Sequence, residues 1–204
     1  MRRAAVCVTM VVALVLACGV AWAQDYITDT VDPLATYMHE LERVYSLGII
    51  EGYQDDTFRP DQNVERAELW VAFNRLIDVL RMKGMELPED YEPHLATYGR
   101  GVRDHWGMEA WERMTKTYLV DRRPVALLMD LDAEIKRIEF AELAVRLLRG
   151  YATLPADLAP AEVAIGDGIM VRQEDGHFHF QEAMPRWEMA VAMSRLLDRI
   201  APDL

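Results

Sequence analysis

Three arginines recur with the same neighbours and could pair with a negatively charged group. Each lies in the pattern apolar-x-Arg-x-Glu, in Val64-Glu65-Arg66-Ala67-Glu68, Ile135-Lys136-Arg137-Ile138-Glu139 and Met184-Pro185-Arg186-Trp187-Glu188. A guanidinium can hold a carboxylate through two parallel hydrogen bonds. The residues leave two interpretations open for each arginine: contact with an anionic ligand, or a structural role such as pairing with its own glutamate.

A helix must follow each arginine, because the next residues keep helical spacing. Nine residues further on, each copy has a second arginine followed by leucine, in Arg75-Leu76, Arg146-Leu147 and Arg195-Leu196. In the first copy the residues between them are apolar at helical intervals, as in Leu69, Ala72 and Phe73. The pattern predicts a helix from about Val64 to Met82, and a structural role for the second arginines.

The first and third copies also match upstream of the arginine. Gly48 and Gly168 each lie eighteen residues before their arginine, and Asp55–Phe58 aligns with Asp175–Phe178. An amphipathic stretch, 37–47, precedes Gly48, which we expect to end that helix in the left-handed conformation. Each copy is therefore predicted as helix, ordered loop, helix. One such unit has too small a core to fold alone, so the copies must pack on one another.

Charge excludes some classes of partner. The 204 residues carry a formal net charge of −12, and half of them are apolar. A charge balance this acidic argues against nucleic acid as the partner, because a protein that binds a duplex normally displays a basic face. It is equally unsuited to bind an anionic membrane by charge alone.

The first 23 residues are predicted to be an export signal. Arg2 and Arg3 precede an uncharged, mostly apolar run, and Ala21-Trp22-Ala23 offers a cleavage site before Gln24. A membrane anchor is the alternative, and a lipoprotein modified at Cys18 is a third. Cleavage before Gln24 would remove both cysteines and change the formal charge from −12 to −14, because Arg2 and Arg3 are lost.

The region around Gly48 resembles the S-layer homology domain. That family's core pattern is Gly-Ile-Ile-x-Gly-Tyr-x-Asp-Gly-Thr-Phe-x-Pro followed by Thr-Arg-Ala-Glu; this chain has Gly48-Ile49-Ile50-Glu51-Gly52-Tyr53-Gln54-Asp55-Asp56-Thr57-Phe58-Arg59-Pro60 and Arg66-Ala67-Glu68. His105-Trp106 is similar to the family's start of a first helix. The resemblance divides the chain into a signal peptide, 1–23, and three repeats, 24–83, 84–150 and 151–204. The second repeat has a degenerate loop, and Pro155 and Pro160 shorten the first helix of the third.

The resemblance implies an all-α fold in which three helix-loop-helix repeats form a pseudo-threefold bundle. It further implies an exported, non-catalytic module that attaches to the cell envelope by binding an anionic, often pyruvylated, cell-wall polysaccharide in grooves between repeats. Free backbone donors at the helix N-terminus would assist the arginine. The ligand-binding residues that it implies are Arg66, Arg137, Arg186, Trp106, Gly48 and Gly52.

The departures from the family pattern leave an alternative open. The family's threonine, which would cap the helix, is replaced by Glu65, Lys136 and Pro185. The alternative function is therefore an envelope scaffold that binds another exported protein and no glycan. We expect no enzyme activity and no cofactor, because the chain has no catalytic motif. We also expect no metal site, since His177 and His179 have no third ligand nearby.

Overall fold

A computed structural model describes residues 32–86, 104–117, 119, 130–150 and 154–203. The predicted signal segment, 1–23, lies outside the described residues. So does most of the second loop, at residues 121–129.

The described part of the chain is mostly helical. A 3₁₀ helix, Asp32–Tyr37, leads into the first of the α-helices, whose bounds are α1 Met38–Ser46, α2 Arg66–Met82, α3 Met108–Thr115, α4 Arg137–Arg149, α5 Pro160–Gly166 and α6 Arg186–Ile200. Within the described ranges the extended backbone forms isolated bridges and no strand. The expected all-α class is confirmed. Over these same ranges, no helix is both long enough and apolar enough to cross a membrane.

The helix ends follow from the residues at them. Gly48 ends α1 with φ +68°, and its N–H donates to Tyr45 O at 2.9 Å. This is the left-handed conformation expected there. Helix α2 begins two residues later than predicted, because Glu65 has extended backbone angles, φ −77° and ψ 153°. Helix α5 has only seven residues and begins at Pro160, as its prolines predicted.

The helices pair across the segments. Helix α3 packs on α2, α5 packs on α4, and α1 packs on α6 at the other end of the chain. One contact of this kind is buried: Asn74 Nδ2 on α2 donates to Ala110 O on α3 at 2.7 Å. Each short first helix therefore packs on the long helix of another segment, and the pairing of α1 with α6 brings the two ends of the chain together.

Three short extended stretches meet at the centre, just before α2, α4 and α6. Val64 N donates to Met184 O, Met184 N to Ile135 O, and Ile135 N to Val64 O, at 2.9 to 3.0 Å. These hydrogen bonds form a closed ring, and all three side chains are fully buried. The ring fixes the N-terminus of each long helix beside another segment, which is where the arginines lie.

Candidate functional site

Each motif arginine pairs with the glutamate of a different segment. The closest nitrogen–oxygen distances are 3.0 Å for Arg66–Glu139, 2.9 Å for Arg137–Glu188 and 2.7 Å for Arg186–Glu68. The arginine residues are buried, with 8%, 1% and 4% of their surface exposed. The pairs therefore join segments, and none of these arginines pairs with the glutamate two residues after it.

The same arginines also donate to backbone carbonyls of the loop that they face. Arg66 Nη1 donates to Asp130 O at 2.6 Å, Arg137 Nη2 to Val171 O at 2.8 Å, and Arg186 Nη2 to Glu51 O at 2.9 Å. A buried guanidinium requires such acceptors to offset the loss of water. Each arginine thus holds a loop against the N-terminus of a helix.

The backbone donors at the helix N-termini are also used inside the protein. Arg66 N and Ala67 N donate to Ala133 O and Leu131 O, both at 2.9 Å. At α6, Arg186 N and Trp187 N donate in the same way to Gln62 O and Pro60 O, at 2.9 and 3.0 Å. The resemblance implied free donors for an anion at these positions, but the loop carbonyls already occupy these four.

The three glutamates differ in how well their carboxylates are satisfied. Glu68 accepts hydrogen bonds from Arg186 Nη1, from the Tyr53 hydroxyl at 2.9 Å and from Glu65 N at 3.0 Å. Glu139 accepts from Arg66 and from Lys136 N.

Glu188 lacks these partners because of two residues in its own segment. Pro185 has no N–H at the position where Glu65 and Lys136 donate, and Gln173 stands where the first segment has Tyr53. Arg137 Nη2 lies 2.9 Å from Glu188 Oε1, yet neither carboxylate oxygen of Glu188 accepts a hydrogen bond from the described residues. The N–H groups of Arg137 are therefore in contact with the carboxylate without being aligned on it.

Burial raises the pKa of two acidic groups near the arginines. It raises the pKa of Glu188 to about 7, an effect that Arg137 opposes and Glu182 reinforces. It also raises the pKa of Tyr53 to about 12, although the positive charge of Arg186 acts in the opposite direction. Tyr53 therefore keeps its proton at neutral pH, and its hydroxyl donates a hydrogen bond to Glu68.

A cavity of about 170 Å³ opens to solvent beside the Arg186–Glu68 pair. We call it the first groove; its lining is Ile49, Ile50, Glu51, Gly52, Tyr53, Glu68, Val71, Ala72, Arg75, Trp106, Arg186 and Met189. Three of the residues expected at the site from the sequence, Gly52, Trp106 and Arg186, come together here from the three segments.

Trp106 stands at the rim of the first groove, with 59% of its surface exposed. The turn that carries it is fixed from both sides. His105 Nδ1 accepts a hydrogen bond from Gly107 N at 3.0 Å, and Gly107 lies so close to α2 that an added Cβ would be 2.5 Å from Ala67 Cβ. The small residues at 67 and 107 thus let this turn approach the helix and leave the indole ring facing outward.

The other residues expected at the site lie elsewhere. Arg66 and Arg137 hold the two remaining seams between segments, and Gly48 ends α1 without lining the first groove. Ligand contact at these three positions stays a prediction.

Four polar residues of the first groove were not expected at the site from the sequence, namely Glu51, Tyr53, Glu68 and Arg75. The sequence predicts a structural role for Arg75 and no particular role for Glu51. Arg75 Nη2 lies 2.7 Å from Glu51 Oε2 on the groove wall. A signal for Arg75 was available, since it lies two helical turns after Glu68 on the face that lines the groove.

A second cavity occupies the corresponding position in the third segment, at about 10 Å³. This second groove is lined by Tyr37, Ile169, Met170, Val171, Trp187, Glu188, Val191, Ala192 and Arg195. Seven of these residues correspond to first-groove residues at a constant shift of 120 positions, among them Val191 to Val71 and Arg195 to Arg75. Tyr37 fills it by stacking on Trp187, with ring centroids 5.5 Å apart.

No group of three or more metal-binding side chains occurs in the part of the chain that the structure describes. Residues 28–69 match the family model of the S-layer homology domain, which spans α1, the loop that lines the first groove and the start of α2. A search of curated proteins finds no match for the chain.

Proposed function

Since residues 28–69 match the model of the S-layer homology domain, whose family attaches proteins to the cell wall, we propose that this chain binds a cell-wall polysaccharide in the first groove. The family's domains are non-catalytic binding modules, and the match indicates a protein of the cell surface or envelope. The observation that carries the proposal is the meeting of Gly52, Trp106 and Arg186 in one open cavity.

The lining of the first groove offers the contacts that a sugar requires. The exposed indole of Trp106 is an apolar face on which a pyranose ring can stack. Glu51 and Arg75 supply an acceptor and a donor for hydroxyl groups, and Gly52 has no side chain to obstruct the approach. Arg186 is the motif arginine that lines this groove, where it holds the backbone of Glu51 beside the proposed ligand.

We also propose that the segments 24–83, 84–150 and 151–204 are three repeats related by a pseudo-threefold axis. Two closed cycles support this arrangement. The pairs Arg66–Glu139, Arg137–Glu188 and Arg186–Glu68 run in one direction around the molecule. The hydrogen bonds among Val64, Ile135 and Met184 form a ring at its centre.

Export by the segment 1–23 completes the proposal, with cleavage before Gln24 and lipid attachment at Cys18 as the alternative. Analysis of the N-terminus of the exported protein by mass spectrometry distinguishes these two forms. A chain that starts at Gln24 supports cleavage, whereas one that starts at a lipid-modified Cys18 supports the lipoprotein.

The test of polysaccharide binding removes the rim of the first groove without disturbing the core. Trp106→Ala should weaken retention of the chain 24–204 on purified cell-wall polysaccharide by about tenfold or more, since a stacking face is lost. Its stability should change little, because Trp106 is exposed. Phe180→Ala is the matched control: Phe180 is also an exposed aromatic residue, and it does not line the first groove.

The scaffold alternative has one observation in its favour, namely that the motif arginines already have partners inside the protein. It predicts that neither the native chain nor Trp106→Ala binds the polysaccharide. It also predicts that the native chain captures another exported protein from the same envelope. Equal retention of the native chain and of Trp106→Ala would contradict the proposed groove.

A further inference from the structure

We infer that the first groove takes an uncharged stretch of the polysaccharide, and not the anionic group that the resemblance implies. This inference rests on the proposed function, because it concerns the ligand of the same groove. It follows from the partners that the cationic and polar groups of the groove already have.

The guanidinium of Arg186 is occupied at all three nitrogens. Nε donates to Phe58 O at 2.9 Å, Nη1 to Glu68 Oε1 at 2.7 Å, and Nη2 to Glu51 O at 2.9 Å. The rings of Tyr53 and Phe58 lie 4.6 and 5.2 Å from its central carbon. Three of its five N–H groups are thus engaged inside the protein, whereas a carboxylate ligand needs two parallel N–H donors.

The remaining cation of the groove is also paired. Arg75 Nη2 lies 2.7 Å from Glu51 Oε2. The charged residues of the lining are therefore two arginines and two glutamates, which sum to zero. An anionic sugar bound at Arg75 would lie beside the carboxylates of Glu51 and Glu68, where repulsion offsets the attraction of the arginine.

Helix N-termini do not supply the missing positive site. Arg66 N and Ala67 N, at the start of α2, donate to Ala133 O and Leu131 O. Burial raises the pKa of Glu65, and the nearby carboxylates of Glu68 and Asp132 raise it further while His105 opposes them, so an anion bound at this end of α2 would lie beside other carboxylates.

What remains available suits neutral hydroxyl groups. Trp106 offers an exposed ring face, and Glu51, with 64% of its side chain exposed, offers carboxylate oxygens as acceptors. Beside them, Arg75 keeps N–H groups that do not face Glu51. A donor and an acceptor on adjacent side chains match two neighbouring hydroxyls of a pyranose ring, which donate and accept in turn.

The test compares one polysaccharide in two charge states. Cell-wall polysaccharide from the producing organism is used as isolated and after its carboxylates have been converted to neutral methylamides. The native chain 24–204 should bind both with dissociation constants within twofold of each other. For the untreated form, raising NaCl from 50 to 500 mM should change the dissociation constant by less than about twofold, because no ion pair forms with the ligand.

Two failures are distinguishable. If binding depends on Trp106 but weakens tenfold or more after amidation or at high salt, this inference is overturned and the proposed groove stands. If neither preparation binds, or if Trp106→Ala binds as well as the native chain, the proposed function fails and this inference fails with it.

Glu51→Gln provides a second test on the same untreated polysaccharide. The variant removes one negative charge and keeps a weaker acceptor oxygen, so a neutral ligand should lose affinity by about threefold. An anionic ligand would gain from the freed positive charge of Arg75. Binding that becomes tenfold tighter in this variant would therefore contradict the inference.

Discussion

The first and second grooves are built largely from corresponding residues, yet one is open and the other is nearly filled. Their volumes are about 170 and 10 Å³. Position 67 of the first segment and position 187 of the third account for much of the difference. Ala67 lets the turn at Gly107 approach α2 and leaves Trp106 outside, whereas Trp187 presents a ring on which Tyr37 stacks. The first residue after the motif arginine, alanine in one segment and tryptophan in the other, therefore accompanies an open cavity in the first and a filled one in the third.

The same comparison extends to the charged pair beneath each groove. Glu68 has three hydrogen-bond donors, while Glu188 is buried with none aligned on it. Pro185 and Gln173 explain the loss, because neither replaces the donor of the first segment. The open groove therefore lies over a fully satisfied pair, and the closed groove over an unsatisfied one.

The largest expected effect concerns the two buried arginines. Arg186→Met should lower the free energy of unfolding by about 3–5 kcal/mol, since it leaves the carboxylate of Glu68 buried without its cation. Arg137→Met should cost about 1 kcal/mol less at pH 6, because Glu188 can bind a proton and become neutral. Urea unfolding of both variants measures the difference, and a greater loss in Arg137→Met would contradict the comparison.

The second prediction concerns pH. Native Glu188 binds a proton below about pH 7, whereas its unfolded carboxyl does so only near its ordinary pKa of 4.5. The native state therefore binds more protons between these values, and stability falls as pH rises through this range. Lowering the pH from 8 to 5 should raise the free energy of unfolding by about 2–3 kcal/mol through this group.

The control for this pH effect is Glu188→Gln, which cannot titrate. The difference in stability between the native chain and this variant should change by that amount from pH 8 to pH 5. A constant difference would show that Glu188 does not titrate in this range.

The third prediction concerns the turn that carries Trp106. Gly107→Ala adds a Cβ 2.5 Å from Ala67 Cβ, so the turn must move away from α2. Overpacking of this kind costs about 1–3 kcal/mol, and the displaced indole should weaken polysaccharide binding several-fold. Gly166→Ala is the control, because an added Cβ there meets nothing within 4 Å. Unchanged binding in Gly107→Ala would mean that the position of Trp106 does not matter.

The smallest expected effect concerns corresponding positions in the loops of the first and third segments. Asp56 has φ +60°, a conformation that favours glycine, and the third segment has Gly176 at the corresponding position with φ +80°. Asp56→Gly should raise the free energy of unfolding by about 0.5 kcal/mol, and Gly176→Ala should lower it by about 1 kcal/mol. Urea midpoints measure both, and a loss of stability in Asp56→Gly would show that the side chain of Asp56 outweighs the strain.

Much of the helical architecture could be predicted from local patterns. The spacing of Leu69, Ala72 and Phe73 predicted α2, and the glycine at 48 predicted the end of α1. Pro160 predicted a short α5. These features depend on interactions between residues close in sequence, which is why one sequence was sufficient.

The partners of the arginines could not be predicted in the same way. Arg186 and Glu68 are 118 residues apart, and their pairing depends on how the three segments pack. The sequence was equally consistent with pairing between each arginine and the glutamate two residues after it. The sequence shows Pro185 as a departure from the family pattern. The loss of a hydrogen bond to Glu188 could be inferred only from the structure, in which the N–H groups of Glu65 and Lys136 donate to the glutamates three residues after them.

The most direct measurement counts the sites. Titration of the chain 24–204 with a short fragment of the wall polysaccharide, followed by calorimetry, should give one site per chain, because the first groove has room for a sugar ring and the second groove does not. Trp106→Ala should weaken binding at that site by about tenfold or more, and Tyr37→Ala should retain it. Two or more equal sites, or a single site lost in Tyr37→Ala and kept in Trp106→Ala, would contradict the account.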